Sequence, residues 1–279
     1  MLLVTGANGQ LGRRVVAHLL TRIPAAELAV SVREPADAAD LAALGVSVRR
    51  GDFDEPDTLP AAFAGVRRML LISSGANPHA LRFAHHEAAT AGAVAAGVES
   101  LVYTSLSTAS PASIGEVHRK TEAMIIASGL RHTFLRHPLY TDNFLNGVLD
   151  EPGLVTATGD GRVASALRDD LAEAAAIVLT DENHDRDGYD LTGPTAWTQA
   201  ELAAELSAVA GREFAHEAVE PGEYARLLRA EEVPEGLVGV LLDIHATIAG
   251  GGFAEVTGEL EKLLGRAPRT MAEAVRALA

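Results

Sequence analysis

Residues 1–20 read MLLVTGANGQLGRRVVAHLL, and this stretch decides the fold. An apolar run ends at Thr5, glycines follow at positions 6, 9 and 12, and a helical pattern begins near Gln10. Glycine adopts positive φ, lets backbone approach a pyrophosphate without a Cβ in the way, and allows a helix to pack tightly on a strand. The N–H groups and positive dipole end of such a helix favour phosphates. We therefore expect a dinucleotide to be bound by Gly6, Asn8, Gly9, Gln10, Leu11 and Gly12.

Short apolar runs alternate with helical patterns through the first half of the chain. The expected strands are MLLVTG, ELAVSVRE, VSVRRGD, RRMLLISS, ESLVYTS and RHTFLRHP. Strands that are apolar on both faces and separated by helices indicate a parallel sheet covered on both sides, with right-handed crossovers. The sequence therefore predicts an α/β, doubly wound Rossmann fold.

The regular alternation loosens after about residue 140 into a mainly helical region. Thr198, followed three residues later by Glu201, has the pattern of a capping box, and a run of glycines at 250–252 predicts a break between helices. We expect residues 1–140 to form the dinucleotide-binding Rossmann domain, with later strands returning to its sheet. Residues 141–279 are expected to form a smaller, mainly helical, substrate-binding lobe.

Composition limits the classes of partner. The 279 residues are 48% hydrophobic, which is enough for a sizeable core, and the net charge of -15 disfavours nucleic acid and anionic lipid as partners. The absence of cysteine excludes disulfides, thiolate catalysis and cysteine-ligated zinc. No run approaches the roughly 18 apolar residues of a membrane span, and no basic residues precede the first apolar run as in a signal peptide. We therefore expect a cytoplasmic protein that binds neither membrane nor nucleic acid.

The glycine spacing, G-x-x-G-x-x-G, is typical of extended and atypical short-chain dehydrogenase/reductases. Further segments follow it: SVREP, GDFDEP, LLISSG, YTSL, SGLRHTFLRHPLYTDNFL, GDGRVASALRDDLAEAAAIVLT and LTGPTAWTQAELAAELSAVAGR. Over nearly the whole chain this series resembles the NmrA-like branch of that family, and within it the bacterial NAD(P)H:quinone oxidoreductases and triphenylmethane reductases. The resemblance implies a reductase that transfers hydride from a nicotinamide cofactor to a quinone or similar conjugated electrophile, a small-molecule electron acceptor, without flavin or metal.

The second expected strand ends with Arg33, where an NAD-preferring site usually has an acidic side chain for the ribose 2′-OH. A guanidinium suits a 2′-phosphate by its charge and its forked donors, so we expect NADPH (NADP) as the cofactor. The alternative, a solvated charge at the strand end, stays open because Glu34 is adjacent. The resemblance adds further cofactor-binding residues, namely Asp52, Phe53, Ser73, Ser74, Gly75, His118, His137, Pro138 and Leu139.

The chain lacks the Tyr-x-x-x-Lys pair of short-chain dehydrogenases that act on alcohols, in which Lys lowers the pKa of Tyr. Counting back from Glu122, as the resemblance indicates, places His118 at the Lys position and Ile114 at the Tyr position. Lys120 is preceded at that spacing by Glu116. Reduction of a quinone yields a phenolate, with a pKa of about 10, and reduction of a cationic dye needs no proton. Both activities are therefore compatible with the missing pair, and so is loss of catalysis.

The candidates for catalysis follow the sixth expected strand. Tyr140 and Asn143 carry a hydroxyl and an amide that we expect to orient the acceptor, with hydride positioning supplying most of the rate. In the alternative interpretation, Asp142 caps the next helix and Tyr140 only packs. Tyr103 is a second candidate donor, unless it is buried in the sheet.

Histidines suggest a metal site only weakly, because adjacent His85 and His86 are expected on different faces of a helix and no metal-ligand spacing occurs. We therefore expect no metal. Two other functions stay open: an NADP(H)-binding redox sensor that regulates a partner without turnover, and a reductase of one specific secondary metabolite. Exposed helices on such folds often pair, so a homodimer is also an expectation.

Overall fold

The structure is a computed structural model that describes residues 1–184 and 187–278. Its strands, in chain order, are β1 (Leu2–Thr5), β2 (Leu28–Val32), β3 (Ser47–Arg50), β4 (Arg68–Leu71), β5 (Ser100–Leu106), β6 (Arg131–His137), β7 (Gly153–Thr156), β8 (Arg162–Val163), β9 (Gly188–Asp190), β10 (Trp197–Thr198) and β11 (Ala215–Ala218).

A seven-stranded sheet is the centre of the fold. Its strands lie in the order β3, β2, β1, β4, β5, β6 and β9. The pairs β2–β3, β1–β2, β1–β4 and β4–β5 are parallel. The chain first runs outward from β1 to β3 and then returns to the other side of β1, so the strand order reverses between β1 and β4. Ligands of such sheets bind outside the carboxyl ends of the strands at this reversal. The predicted doubly wound Rossmann fold is confirmed.

The helices, in chain order, are α1 (Gln10–Leu20), α2 (Ala39–Ala43), α3 (Leu59–Ala62), α4 (His79–Ala95), α5 (Ala112–Ala127), α6 (Thr141–Leu145), α7 (Arg168–Thr180), α8 (Gln199–Ala210), α9 (Pro221–Ala230), α10 (Glu235–Ala249), α11 (Glu259–Leu264) and α12 (Met271–Arg276). In the part of the chain that the structure describes, no helix is long and apolar enough to cross a membrane.

The chain divides into two compact units. The first unit consists of Met1–Leu106, Val117–Arg136 and Arg168–Tyr189. Every residue of β1, β2 and β4 is buried, as expected for strands that helices cover on both faces. The core between sheet and helices is apolar and includes Leu3, Phe63, Met69, Ala93, Leu101, Tyr103 and Phe134.

The second unit consists of Ser107–Glu116, His137–Leu167 and Asp190–Ala279. It contains two small sheets, in which β7 pairs with β11 and β8 pairs with β10. Its own core includes Val148, Trp197, Leu206, Phe214, Ile248, Phe253 and Met271.

Local sequence signals explain several helix ends in the second unit. Thr198 and Glu201 form the predicted capping box at the start of α8, with each side chain accepting a hydrogen bond from the other residue's backbone N–H. Helix α10 ends at Ala249, where the run of glycines begins. The alternative in which Asp142 caps a helix is wrong: α6 begins at Thr141 with Tyr140 as its N-cap residue, so Asp142 lies in the first turn.

Candidate functional site

The glycine turn joins β1 to α1 in a way that a side chain would prevent. Gly6 has φ of +61°, in the left-handed region, and its carbonyl oxygen accepts a hydrogen bond of 3.0 Å from the N–H of Gly9. A Cβ built on Gly12 would lie 2.3 Å from the Gly6 oxygen and 2.7 Å from Cα of Ala7. The helix therefore approaches the turn as closely as it does only because position 12 has no side chain.

The N-terminus of α1 keeps its backbone donors available. Gly9 is the N-cap residue and has no side chain that could cap the helix, and the first turn contains no acidic residue. The first N–H groups of a helix have no partner within the helix, and they carry the positive end of its dipole. This end of α1 is therefore suited to a phosphate.

A cavity of about 620 Å³ opens within the first unit, along the ends of β1 to β4. This volume is in the range of small-molecule and cofactor sites. Of the residues predicted to bind cofactor, those that line it are Gly6, Asn8, Gly9, Arg33, Asp52, Phe53, Ser73, Ser74 and Gly75. Gln10, Leu11 and Gly12 lie in the first turn of α1, where Leu11 and Gly12 are buried. The cavity is also lined by residues that the sequence analysis did not select, namely Ser31, Val32, Glu34, Asp37, Gly51, Asp54, Ile72, Ala76 and His85.

Two arginines near this cavity differ in their contacts. Arg13 donates hydrogen bonds to Oδ1 of Asn8 (3.0 Å) and the backbone oxygen of Asp37 (2.7 Å), and it forms an ion pair with Asp40. The hydrogen bond from Arg13 lowers the pKa of Asp40. Arg33 lines the cavity and is exposed, and it has no hydrogen bond or ion pair with the described residues. Its guanidinium is therefore available to an anionic ligand.

His85 and His86 both contact Ser74, in the turn that follows β4, and each has a second partner of its own. His85 Nδ1 lies 2.8 Å from Oγ of Ser74, and its Nε2 lies 2.8 Å from Oδ1 of Asp54. His86 Nε2 accepts a hydrogen bond of 3.0 Å from the backbone N–H of Ser74, and its Nδ1 lies 2.8 Å from Oγ1 of Thr121. Burial lowers the pKa of His86 to about 3, so its ring is neutral. In the sequence, the only feature that points to these contacts is the pair of adjacent histidines in the helix after β4.

Among the described residues, no group of three or more His, Asp or Glu side chains is placed to hold a metal ion.

Tyr103 and His118 form a buried pair in the first unit. The hydroxyl of Tyr103 lies 2.9 Å from Nδ1 of His118. Burial raises the pKa of Tyr103 and lowers that of His118 to about 4. At neutral pH His118 is therefore uncharged and does not supply the positive charge by which Lys lowers the pKa of Tyr in the alcohol dehydrogenases. His118 contacts Tyr103 and is not among the lining residues of the cavity.

The remaining predicted site residues lie in the second unit, close to one another. His137 is buried at the end of β6, and its Nδ1 lies 3.0 Å from the hydroxyl of Tyr140. Pro138 is buried, and Leu139 packs against the core of the second unit. Tyr140 is partly buried and Asn143 is exposed, and the N–H of Asn143 donates to the backbone oxygen of Tyr140. The structure thus brings Tyr140 and Asn143 together at the start of α6.

Comparisons with known proteins agree with these features. A family model described as NAD(P)H-binding matches residues 6–182. The structure of an NADPH-dependent quinone oxidoreductase from Escherichia coli, complexed with NADPH, is 37% identical in sequence, with a TM-score of 0.95 over 100% of this chain and 99% of that one. A Citrobacter sp. triphenylmethane reductase complexed with NADP(H) is 36% identical, with a TM-score of 0.94 over 100% of both chains. An NAD(P)H azoreductase from Xenophilus azovorans is 31% identical over 99% of this chain and 97% of its own. The resemblance that the motifs indicated is confirmed.

Proposed function

The chain belongs to the NAD(P)H-binding family of NmrA-like, atypical short-chain dehydrogenase/reductases, and from this premise we propose that it is an NADPH-dependent reductase that delivers hydride to a quinone or a similar conjugated electrophile. One observation carries the proposal. The cavity at the carboxyl ends of the parallel strands combines a glycine turn, an uncapped helix N-terminus and the available guanidinium of Arg33. These three features match a dinucleotide with an additional phosphate.

The residues present fit such a cofactor. The pyrophosphate would be held by the turn from Gly6 to Gly12, because Gly6, Asn8 and Gly9 line the cavity and the N-terminus of α1 follows them. Arg33 would bind the 2′-phosphate. When bound, NADPH supplies the hydride. The other proposed cofactor-binding residues are those predicted from the sequence, namely Asp52, Phe53, Ser73, Ser74, Gly75, His118, His137, Pro138 and Leu139.

For the acceptor, we assign Tyr140 and Asn143 as the residues that orient it. The contact between His137 Nδ1 and the Tyr140 hydroxyl restrains that hydroxyl in direction. A neutral His118 beside Tyr103 supports an acceptor that needs no strong acid, because a quinone product leaves as a phenolate with a pKa of about 10. Quinones and cationic dyes are therefore favoured over isolated ketones, whose alkoxide products require a proton donor.

The proposal is tested by following NADPH absorbance with a panel of quinones and a triphenylmethane dye, with NADH as the comparison. We expect acceptor-dependent oxidation that is faster with NADPH than with NADH. Tight NADPH binding without oxidation by any acceptor would overturn the reductase assignment in favour of a redox sensor. Slow turnover of every acceptor would instead favour a reductase of one specific metabolite.

The assignment of Tyr140 and Asn143 is tested by the double variant Tyr140→Phe/Asn143→Ala. We expect kcat to fall by about tenfold to a hundredfold while the Kd for NADPH stays unchanged, because the lost groups contact the acceptor. Tyr189→Phe is the matched control, since Tyr189 lies on β9 of the first unit, with its hydroxyl 3.1 Å from Nδ1 of His184. Unchanged turnover in the double variant would remove both residues from the mechanism.

The remaining parts of the proposal come from composition. The net charge of -15 supports a protein without nucleic-acid partners, and a cytoplasmic location and a homodimer are its further predictions. Sedimentation velocity tests the dimer, and a single species at the monomer mass of 29.1 kDa would contradict it.

A further inference from the structure

Three side chains from separate segments form a line of hydrogen bonds in the wall of the cavity. Asp54 follows β3, Ser74 follows β4, and His85 lies on α4 between them, 2.8 Å from each. All three residues line the cavity of the first unit. The side chain of His85 is only 10% exposed, whereas that of Asp54 is 52% exposed. The imidazole is therefore fixed in place, with one nitrogen directed at each neighbour.

Asp54 determines which nitrogen of neutral His85 carries the proton. A carboxylate accepts hydrogen bonds only, so the nitrogen facing it, Nε2, must carry the hydrogen. Nδ1 is then an acceptor, and the hydroxyl of Ser74 donates a hydrogen bond to it. Oγ of Ser74 also accepts a hydrogen bond of 3.1 Å from the backbone N–H of Ala76. With neutral His85, the Ser74 hydroxyl is thus used within the protein and has no proton to offer a ligand.

Protonation of His85 reverses this arrangement. Both ring nitrogens are then donors, so Nδ1–H donates to Oγ of Ser74 and the hydroxyl proton turns away from the ring. Ser74 can then donate into the cavity, which also gains one positive charge. Of the charged and titratable groups, Asp52, Asp54, Glu34, Asp37 and Arg33 line the same cavity, and Arg82 and His86 lie on α4 with His85. Four of these seven are acidic, so a positive charge on His85 reduces the repulsion that a polyanionic ligand meets in the cavity.

We propose that His85, held by Asp54, is a positioning residue that sets the direction of the Ser74 hydroxyl and so links dinucleotide binding to the uptake of a proton. The inference rests on the proposed function, because it takes the cavity as the dinucleotide site. The protonated form of His85 binds the dinucleotide more tightly, and by linkage the bound dinucleotide favours the protonated form.

The test is isothermal titration calorimetry with NADP⁺ between about pH 5.5 and 8, the range in which histidines titrate. Titrations in two buffers of different ionisation enthalpy give the number of protons taken up on binding. The ligand's own phosphate titrates near pH 6, so the result is read as a difference between variants. His85→Gln keeps a polar side chain but does not titrate. His79→Gln is the matched control, because His79 also lies on α4 and does not line the cavity.

We expect wild type and His79→Gln to take up more protons than His85→Gln. At the acidic end of the range, His85→Gln should bind NADP⁺ about tenfold more weakly than wild type, as for the loss of a hydrogen bond to a charged group. At the alkaline end the two should bind equally. Ser74→Ala should weaken binding at acidic pH, and the double variant should be no weaker than His85→Gln alone, since one residue acts through the other.

Equal proton uptake in wild type and His85→Gln, with tight binding in both, would overturn the inference and leave the proposed function intact. Additive effects of His85→Gln and Ser74→Ala would also overturn it, because independent roles add. A wild-type protein that does not bind NADP⁺ at any pH would instead refute the proposed function.

Discussion

Replacement of Gly12 by alanine should destabilise the fold, although alanine normally stabilises helices. Gly12 is the third residue of α1, and a Cβ there would lie 2.3 Å from the Gly6 oxygen and 2.7 Å from Cα of Ala7. Both neighbours are backbone atoms, so no side-chain rotation relieves the overlap. The helix must move away from the turn, which also disrupts the proposed pyrophosphate site.

The magnitude follows from two opposing terms. Overpacking costs about 1–3 kcal/mol, and the backbone clash places Gly12→Ala at the upper end of this range. Alanine has a higher helix propensity than glycine, and this difference offsets about 1 kcal/mol of the cost. We therefore expect a net loss of about 2 kcal/mol in the free energy of unfolding, or a fall in Tm of about 4–8 °C.

Variants of two further glycines separate the effect on stability from the effect on NADPH binding. Gly239 lies in α10, and a Cβ at this position would have nothing within 4 Å, so Gly239→Ala should be neutral or raise Tm slightly. Gly9 has φ of -77° and ψ of 166°, which alanine adopts, and its Cβ would lie 3.3 Å from the Gly6 oxygen. Gly9→Ala should lower Tm less than Gly12→Ala but weaken NADPH binding about tenfold or more, because Gly9 lines the cavity.

Differential scanning calorimetry of the three variants measures stability, and calorimetric titration with NADPH measures binding. If Gly12→Ala has the same Tm as Gly239→Ala, the close approach of α1 to the glycine turn does not need glycine, and the reasoning is refuted.

Arg33→Gln should raise the Kd for NADPH about tenfold and leave the Kd for NADH unchanged, since only NADPH has the 2′-phosphate. Calorimetric titrations in which both Kd values change equally would contradict the assignment of Arg33. Glu122→Gln should lower the free energy of unfolding by about 2–3 kcal/mol in urea titrations, because the carboxylate pairs with Arg136 through two hydrogen bonds of 2.9 and 2.8 Å in a mostly buried site. Stability should also fall as pH decreases from about 6.5 to 4, because in that range the unfolded chain binds protons at histidines that stay neutral when folded. These histidines have lowered pKa values of about 3 for His86 and about 4 for His118 and His245. A urea midpoint that is constant over this range would show that their burial does not contribute.

The elements that the sequence predicted correctly are those with a local signal. Strands β1, β2 and β4 are buried at every residue, and the apolar runs that this burial requires are visible in a few consecutive residues. The turn at Gly6 and the capping box of Thr198 and Glu201 depend on atoms within a few residues of one another. The residues that determine each of these elements are therefore neighbours in the sequence.

Other features depend on residues far apart in the chain. Arg68, which begins the apolar strand β4, is fully buried, and its guanidinium donates a hydrogen bond of 2.8 Å to the backbone oxygen of Val178 on α7. The division into two units has the same origin, since the first unit takes in Arg168–Tyr189 from late in the chain. Such contacts form only when the sheet and its helices are assembled.

By itself, therefore, the sequence determined the doubly wound fold, the glycine turn and the family. The reason is that the apolar runs of buried strands and the conformational freedom of glycine depend on residues that are adjacent in the sequence. Only the tertiary structure decided the partners of the polar side chains: it placed His85 between Asp54 and Ser74, and His118 beside Tyr103. The physical reason is that a buried polar group must find a partner wherever the folded backbone presents one, and hydrophobic periodicity contains no information about which residue that is.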